Sequence, residues 1–400
     1  MKQLYPHSIT GKSAVHGGSV LDHTFGKSDP YTLGVEEEYM LLDGESHDLV
    51  QHIETVLSAI SGHELEERIN PELMQSVLEI ATPVCHTPAD VMAELQKLRG
   101  YVIGVARERE MRVGSAGTHP FSLFERQRIT ARDRYRNLVD QLQYVARREL
   151  IFGMHVHVAV DDPEKAIQVV NGLLPQLAPL LALSASSPFW RGEPTGLASS
   201  RQMVFSAFPR SGPPPRFRDY ADYASVVGQL ERSGCIADYT HIWWDIRLHP
   251  RLGTIEIRVC DAVTRVEDAV AIAAYCQALV KQLSERHDAG QEIPSYHRIL
   301  TSENKWLAAR YGLEAPVMDL ATASRNRVPV ARLIRRTVGE LRPHARELGS
   351  ERELEGVLEI LGRGSSSDRQ LRVYHARRDI TEVARAIAEA TEAIPAALPS

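Results

Sequence analysis

Three consecutive glutamates, Glu36, Glu37 and Glu38, interrupt the apolar stretch YTLGVEEEYMLLD. Side chains alternate across a β-strand, so Glu36 and Glu38 are expected on one face and Glu37 on the other. Two carboxylates about 6.5 Å apart repel by roughly 2–3 kcal/mol at an effective dielectric near 20. A hard divalent cation is the simplest partner for such a pair, although a solvent-exposed edge strand explains the same pattern. We expect Glu37 to be an ion-pair or surface residue without a catalytic role.

Two further carboxylates lie in the stretch PELMQSVLEIATPV. Glu79 interrupts a strand-like apolar run, and Glu72 lies seven residues before it. Glu72 reaches the same face only if the chain bends before the strand begins. Both residues are candidate metal ligands, and an ion pair with an arginine is the alternative for Glu79.

The stretch IFGMHVHVAV places His155 and His157 on one face of a predicted strand and valines on the other. Two imidazoles in register direct their ring nitrogens into one cavity, where they bind a metal ion or a phosphate. The alternative is a pair of structural core histidines.

The stretch RLGTIEIRVC alternates in the same way, with Glu256 and Arg258 on one face. An internal salt bridge between them explains this pattern. In the functional alternative Glu256 binds a metal and Arg258 binds a phosphoryl group, because a guanidinium matches phosphoryl oxygens in a bidentate way.

If the four strands form one sheet, a single face carries about five carboxylates, two histidines and arginines. Oxygen-rich ligands select hard metals, so this face suits Mg²⁺ or Mn²⁺ together with a nucleoside triphosphate. Three other arginines are candidates to bind a nucleotide phosphate or a substrate carboxylate: Arg201, Arg247 and Arg251.

The elements that must position these groups are strands separated unevenly by helices. Strands are predicted at 31–42, 76–82, 111–117, 151–160 and 253–260. Helices are predicted at 47–61, 88–110, 137–149, 163–183, 265–286 and 370–391. Thr87 and Asp162 each precede a proline and are predicted N-caps. The absence of regular βαβ alternation favours an α+β fold with an antiparallel sheet.

The composition restricts the class of protein. A net charge of −6 gives no basic footprint of a nucleic-acid binder, and none of the four cysteines forms a CxxC pair. We find no apolar membrane-spanning run and no Walker A sequence, and therefore expect a cytoplasmic protein without nucleic-acid or membrane partners. Residues 1–29 are predicted to be a loosely ordered arm before a single domain at 30–400, with a flexible segment at 361–374.

Several stretches together resemble the type 2 glutamate–cysteine ligase family, bacterial ATP-dependent carboxylate–amine ligases of the glutamine-synthetase-like superfamily. The matching stretches are GVEEEYMLLD, LEIATPVC, SAGTHPFS, FGMHVHV, LSASSPFWRG, TGLASSR, HIWWDIRLHPRLGTIEIRVCD and ENKWLAARYG. They occur in order from about Tyr31 to Gly312, with helices expected after them.

The resemblance implies an antiparallel sheet whose concave face binds ATP and two or three divalent ions. The metal ligands it implies are Glu36, Glu38, Glu72, Glu79, Glu256 and His155. It also implies that His155 approaches metal or phosphate and is a catalytic residue together with Arg258. It implies that His157 supports His155 or contacts nucleotide, and that Arg258 stabilises the transferring phosphoryl group. A homodimer is also implied.

The implied reaction is glutamate plus cysteine to γ-glutamylcysteine through an acyl phosphate, with ATP and Mg²⁺ or Mn²⁺. Family members with weak or unassigned activity leave the amine open. Two alternatives remain: a divalent-metal-dependent hydrolase using the HxH and carboxylate cluster, and a non-catalytic ATP-binding relative.

Overall fold

The computed structural model describes residues 21–322 and 326–394, in which an antiparallel sheet is packed by helices. The strands are β1 Leu33–Asp43, β2 Ile69–Pro71, β3 Val77–Ala81, β4 Met111–Gly114, β5 Met154–Ala159, β6 Phe189–Trp190, β7 Glu193–Pro194, β8 Ser211–Gly212, β9 Trp243–Trp244, β10 Ile246–His249, β11 Thr254–Ile257, β12 Pro316–Met318 and β13 Arg327–Pro329.

The α-helices in the same residues occupy much of the chain between and after these strands. They are α1 Ile53–Ile60, α2 Pro88–Arg107, α3 Asp133–Leu142, α4 Tyr144–Arg147, α5 Pro163–Leu173, α6 Leu177–Ser184, α7 Ser200–Phe205, α8 Tyr220–Arg232, α9 Val266–Asp288, α10 Arg298–Tyr311, α11 Val330–Glu347, α12 Glu351–Arg363, α13 Ser366–Arg377 and α14 Ile380–Glu392.

The main sheet has the strand order β10-β11-β5-β1-β3-β2, and β4 pairs with the end of β1. Each of its strand pairs is antiparallel, as the sequence predicts. The long strand β1 is central because it pairs with β5 along one edge and with β3 and then β4 along the other. The four strands predicted to carry chemistry therefore lie side by side.

One face of the sheet is apolar and packs against α2, α5 and α9. Glu37 lies on this face, fully buried, and its carboxylate accepts hydrogen bonds from Arg99 Nε at 2.9 Å and from Arg99 Nη2. Tyr39 donates to the same carboxylate. The prediction that Glu37 is an ion-pair residue is confirmed, and the pair ties β1 to α2.

The predicted caps are present. Thr87 forms a capping box with Asp90 at the start of α2, and the Asp162 side chain accepts from the Lys165 amide at the start of α5. Each cap is followed by proline at the first helical position, where the missing amide hydrogen costs no intrahelical bond.

Several predicted elements are wrong in extent. The segment 361–374 is not a flexible loop, because it contains the end of α12 and most of α13, with Ser365 and Asp368 forming a capping box between them. The single helix predicted at 370–391 is two helices, because Arg378 adopts a left-handed conformation with φ 56° and ends α13.

Residues 1–20 of the predicted N-terminal arm lie outside the described residues. Within its remainder, Phe25 is buried and the Thr24 amide donates to the Pro250 carbonyl at 2.9 Å, which attaches this segment to the turn after β10. The division into an arm at 1–29 and one domain at 30–400 stays a prediction.

The segment Pro163–Ser184 is long and apolar enough to cross a membrane, and 78% of its most apolar window is buried inside the fold. Such extensive burial is typical of a helical segment in a protein core. Its length and composition follow from its place against α9 and α10.

Candidate active site

The polar face of the sheet is assembled by strand register. Glu36 on β1 lies opposite His155 on β5, and Glu38 lies opposite Glu79 on β3. Glu256 on β11 lies opposite His157. Because opposed residues of antiparallel strands direct their side chains to the same face, the register alone brings these groups together.

These side chains form the floor of a cleft of about 320 Å³. Six glutamates, four arginines and four histidines are among the residues that line it: Glu36, Glu38, Glu72, Glu79, Glu149, Glu256, Arg134, Arg201, Arg247, Arg258, His155, His157, His241 and His249. Aromatic and aliphatic side chains, including Phe205, Phe208 and Trp243, form one of its walls.

Three groups of side chains in the cleft have ligand atoms that all lie within 4.8 Å of one another. They are Glu36 with His157 and Glu256, Glu36 with Glu79 and His155, and Glu38 with Glu72 and Glu79. Each has two or three carboxylates and at most one imidazole, which is a donor set for Mg²⁺ or Mn²⁺ rather than for zinc.

The carboxylates of the third group, Glu38, Glu72 and Glu79, repel one another and would be stabilised by a cation. Burial raises the pKa of Glu72 to about 7, and repulsion from Glu38 adds to it. Burial and repulsion from Glu36, Glu72 and Glu38 likewise raise the pKa of Glu79 well above its ordinary value. A divalent cation between these carboxylates would remove that repulsion, so the residues present fit the metal that the ligand set implies.

Glu36 is held by both histidines. His155 Nδ1 lies 2.9 Å and His157 Nε2 lies 3.4 Å from its carboxylate oxygens. Burial opposes ionisation of Glu36, but the two imidazoles outweigh it and lower its pKa well below the ordinary value. Glu36 is therefore an anion at neutral pH and is shared by two of the candidate metal groups.

Gly153, just before β5, allows three groups to meet. Its amide donates to a Glu38 carboxylate oxygen at 2.5 Å. A Cβ atom at this position would lie 2.5 Å from Arg201 Nη2 and 3.2 Å from His155 Nε2. Any larger residue would therefore displace the Arg201 guanidinium or the imidazole.

Glu256 is clamped between two arginines. Arg247 approaches one oxygen through Nε at 2.8 Å and Nη2 at 2.7 Å, and Arg258 Nη1 contacts the other. Despite burial, these guanidinium groups lower the pKa of Glu256. Arg247 also donates Nη1 to the carbonyls of Thr240 and Ile242, so it positions Glu256 and has little capacity left to bind nucleotide.

Arg201 differs from these two arginines because its ion pair, with the buried Asp261, is much longer. Its side chain is 4% exposed, and its nearest carboxylate oxygen belongs to Asp261 at 3.9 Å. Its Nη atoms lie 3.5 Å from the carbonyls of Val259 and Arg258, and its Nε is buried without a hydrogen bond. The Arg201 charge is thus available to an anion in the cleft.

The structure does not bring Arg251 into the cleft. Its side chain is 68% exposed, lies 3.9 Å from an Asp238 oxygen and stacks over Tyr239. Glu72, in contrast, reaches the carboxylate-rich face because the short strand β2 pairs with β3 and ends directly before Glu72. The bend that the spacing of Glu72 and Glu79 requires is the turn between these two strands.

Sequence reasoning missed Glu149 and the aromatic wall. Glu149 follows the short helix α4 and looks like an ordinary helix-end charge, because no period-two pattern surrounds it. Trp243 lines the cleft, where it meets Phe208 edge to face at 5.2 Å and Arg210 stacks on it. The neighbouring Trp244 is buried.

A model of glutamate–cysteine ligase family 2 matches residues 32–389. A putative glutamate–cysteine ligase 2-1 from Rubrobacter xylanophilus is 46% identical over 92% of this chain and 97% of its own length. A putative glutamate–cysteine ligase 2 from Solibacter usitatus is 41% identical over 90% of this chain and 93% of its own.

Two solved structures share the fold. The glutamate–cysteine ligase of Francisella tularensis in complex with AMP is 14% identical, with a TM-score of 0.64 over 92% of this chain and 91% of that one. A bifunctional glutathione synthetase from Pasteurella multocida is 17% identical, with a TM-score of 0.66 over 91% of this chain and 52% of that one. With a family match across the whole sheet and close relatives of full length, the chain belongs to glutamate–cysteine ligase family 2 and is a ligase of this type.

Proposed function

We propose that the protein joins a carboxylate to an amine at the expense of ATP, through an acyl phosphate. The observation that carries this proposal is the row of three carboxylate-rich groups in one cleft with Arg201 and Arg258 beside them. Such a row suits metal ions that accompany a triphosphate, and the arginines suit the phosphoryl group that is transferred.

Mg²⁺ or Mn²⁺ would be held by Glu36, Glu38, Glu72, Glu79, Glu256 and His155, and would supply positive charge to the ATP phosphates. His157 hydrogen-bonds Thr254 Oγ1 through Nδ1 at 3.0 Å, so that its Nε2 is directed at Glu36. This arrangement makes His157 a positioning residue for Glu36.

In the first step a substrate carboxylate oxygen attacks the γ-phosphorus of ATP and ADP leaves. Arg258 and Arg201 are the candidates to balance charge on the equatorial phosphoryl oxygens. Arg201 is the better placed of the two, because Arg258 already contacts Glu256 closely whereas the ion pair of Arg201 with Asp261 is long, at 3.9 Å.

In the second step the amine attacks the acyl carbon and phosphate leaves. This chemistry needs no covalent enzyme nucleophile. The names of the relatives favour glutamate as the acid and cysteine as the amine. We further propose that the protein acts in the cytoplasm, possesses no nucleic-acid or membrane partner and forms a homodimer.

A panel assay tests the proposal. ADP release is measured with Mg²⁺, ATP, glutamate and a set of amines including cysteine, for wild type, Glu36→Gln and the exposed control Glu108→Gln. We expect wild type and Glu108→Gln to release ADP, and Glu36→Gln to lose at least about 100-fold in rate, since it removes a charge shared by two metal groups.

Other results would contradict the ligase mechanism. Wild type that releases no ADP with any pair would favour a non-catalytic relative. Metal-dependent turnover of a substrate without ATP would favour a hydrolase, a reading that the low histidine content of each metal group disfavours.

A further inference from the structure

Glu149 is a cleft carboxylate that the metal-binding arrangement does not use. It lines the same cleft as Glu38 and Arg201 but contributes to none of the three candidate metal groups. It lies between helix α4 and the buried residues Leu150 and Ile151, and its amide donates to the Ala146 carbonyl at 3.1 Å. Its backbone is therefore anchored while its side chain borders the cavity.

Among the described residues, no hydrogen bond or salt bridge is made by the Glu149 side chain. The adjacent Arg148 is directed elsewhere, since its Nη2 donates to the Val204 carbonyl at 3.0 Å and its guanidinium lies over the Tyr144 ring. A glutamate that borders a cleft without a partner has its full capacity to accept hydrogen bonds from a ligand.

Charged groups of the proposed site act on Glu149. Burial raises its pKa to about 8, the Arg201 and Arg148 guanidinium groups oppose that rise, and the Glu38 carboxylate adds to it. Two of these three groups are the candidate phosphoryl-binding residue Arg201 and the candidate metal ligand Glu38.

The proposed reaction needs a group that removes a proton from the amine substrate, and no residue has yet been assigned to that step. An amino-acid amine enters as an ammonium ion and must lose a proton before it attacks an acyl phosphate. Glu36, Glu38, Glu72, Glu79 and Glu256 are all engaged as candidate metal ligands or in arginine contacts. Glu149 is the glutamate lining the described cleft that is engaged in neither way.

We propose that Glu149 binds the ammonium group of the amine substrate and accepts its proton. The inference rests on the proposed ligase function and deepens it. The Glu149 carboxylate takes one proton from the ammonium, and the free amine forms the C–N bond at the acyl carbon. The C–O bond to phosphate breaks, phosphate leaves with the electron pair, and the second nitrogen proton passes to the departing phosphate.

The test compares two nucleophiles that differ in basicity. Amide formation is measured with the best amino-acid amine from the panel, and hydroxamate formation with hydroxylamine, which is mostly unprotonated at neutral pH. Wild type, Glu149→Gln and the exposed control Glu108→Gln are assayed with ATP, Mg²⁺ and glutamate. We expect Glu149→Gln to lose at least about 100-fold in kcat/KM for the amine while hydroxamate formation falls much less.

The opposite results overturn the inference. Equal losses with both nucleophiles, or no loss with either, would show that Glu149 does not act on the ammonium proton. Weakened Mn²⁺ binding in Glu149→Gln, measured by electron paramagnetic resonance, would make it a metal ligand instead. If Glu149→Gln does not fold, Glu149→Asp should lower the ratio of amide to hydroxamate formation, and an unchanged ratio would overturn the proposal.

Failure of the ligase function has a different signature. Wild type would then form neither amide nor hydroxamate and would release no ADP, which overturns both proposals together. Wild type that forms both products while Glu149→Gln matches it would overturn the role of Glu149 and leave the ligase function standing.

Discussion

Three of the four arginines that line the described cleft have different tasks because their partners differ. Arg247 contacts Glu256 through two nitrogens and donates the third to two backbone carbonyls, so it positions a carboxylate. Arg258 contacts Glu256 from the other side and faces the cleft. Arg201, held beside Gly153, has the weakest protein contacts and the greatest capacity for a new anion.

Arg201→Lys and Arg258→Lys test this difference between residues. Lysine keeps the charge but loses the planar fork that matches a phosphoryl group. We expect each variant to lose at least about 100-fold in kcat for ADP release, with a much smaller change in thermal stability.

Arg251→Lys is the matched control, because Arg251 is exposed and lies outside the cleft. Its activity should equal that of wild type. Unchanged turnover in Arg201→Lys or Arg258→Lys would remove that arginine from the mechanism.

Strand β1 carries glutamates on both of its faces, and the two faces have different environments. Glu36 and Glu38 face the cleft, whereas Glu37 lies under the sheet in a buried pair with Arg99. Arg99 also donates to the carbonyls of Val263 and Thr264 before α9, so this pair connects β1, α2 and the chain entering α9. Its role is structural.

Glu37→Gln tests that role. Removing one charge of a buried pair leaves the Arg99 guanidinium uncompensated, so we expect the free energy of unfolding to fall by about 3–5 kcal/mol. Urea unfolding measures the change, and ADP release per folded molecule should stay close to wild type.

Glu64→Gln is the control for an exposed pair, since Glu64 and Lys97 are 68% and 50% exposed. It should leave the urea midpoint unchanged. A loss of stability in Glu37→Gln no larger than in this control would contradict the assignment.

The sequence predicts the polar face of the sheet well in those strands where side chains alternate with a period of two residues. The alternation in β1, β5 and β11 is sufficient to assign Glu36, Glu38, His155, His157 and Glu256 to one face. It does not predict Glu149, which stands outside a strand and reaches the cleft through tertiary packing alone. Nor does it reveal that Arg251 points away, because arginine side chains are long and their direction depends on nearby acids such as Asp238.

Other elements escaped prediction for local reasons. The strands β2 and β10 are three and four residues long, too short to show a clear period. Helices α8, α10, α11 and α12 carry many charged residues on their exposed faces and were not predicted. The break between α13 and α14 depends on one residue, Arg378, in a conformation that its type rarely adopts.

The fold as a whole brings carboxylates that repel one another into a single cleft. Glu72 and Glu79 have raised pKa values because burial and neighbouring carboxylates disfavour their charged forms. In the metal-free protein this repulsion lowers the free energy of unfolding, and a divalent cation bound at the proposed site would raise it again.

The pH dependence of the free energy of unfolding, measured on the metal-free protein, tests this loss of stability. The folded pKa of Glu72 is about 7 against an ordinary 4.5, so the folded state keeps a proton that the unfolded state releases. Its contribution to stability is therefore present below about pH 4.5 and is lost as pH rises through about 7.

We expect wild type to lose about 2–3 kcal/mol relative to Glu72→Gln between pH 4.5 and 8, measured by urea unfolding with a chelator. Mg²⁺ at pH 8 should stabilise wild type more than Glu72→Gln. Parallel pH profiles for the two proteins would mean that Glu72 is not perturbed by the site.

An isotope-transfer measurement tests the acyl phosphate most directly. The acid that gives turnover is labelled with ¹⁸O in its carboxylate and incubated with ATP, Mg²⁺ and the amine. We expect one labelled oxygen to pass into inorganic phosphate for each amide formed, while ADP accumulates. Inorganic phosphate without label, or label recovered in AMP, would contradict it.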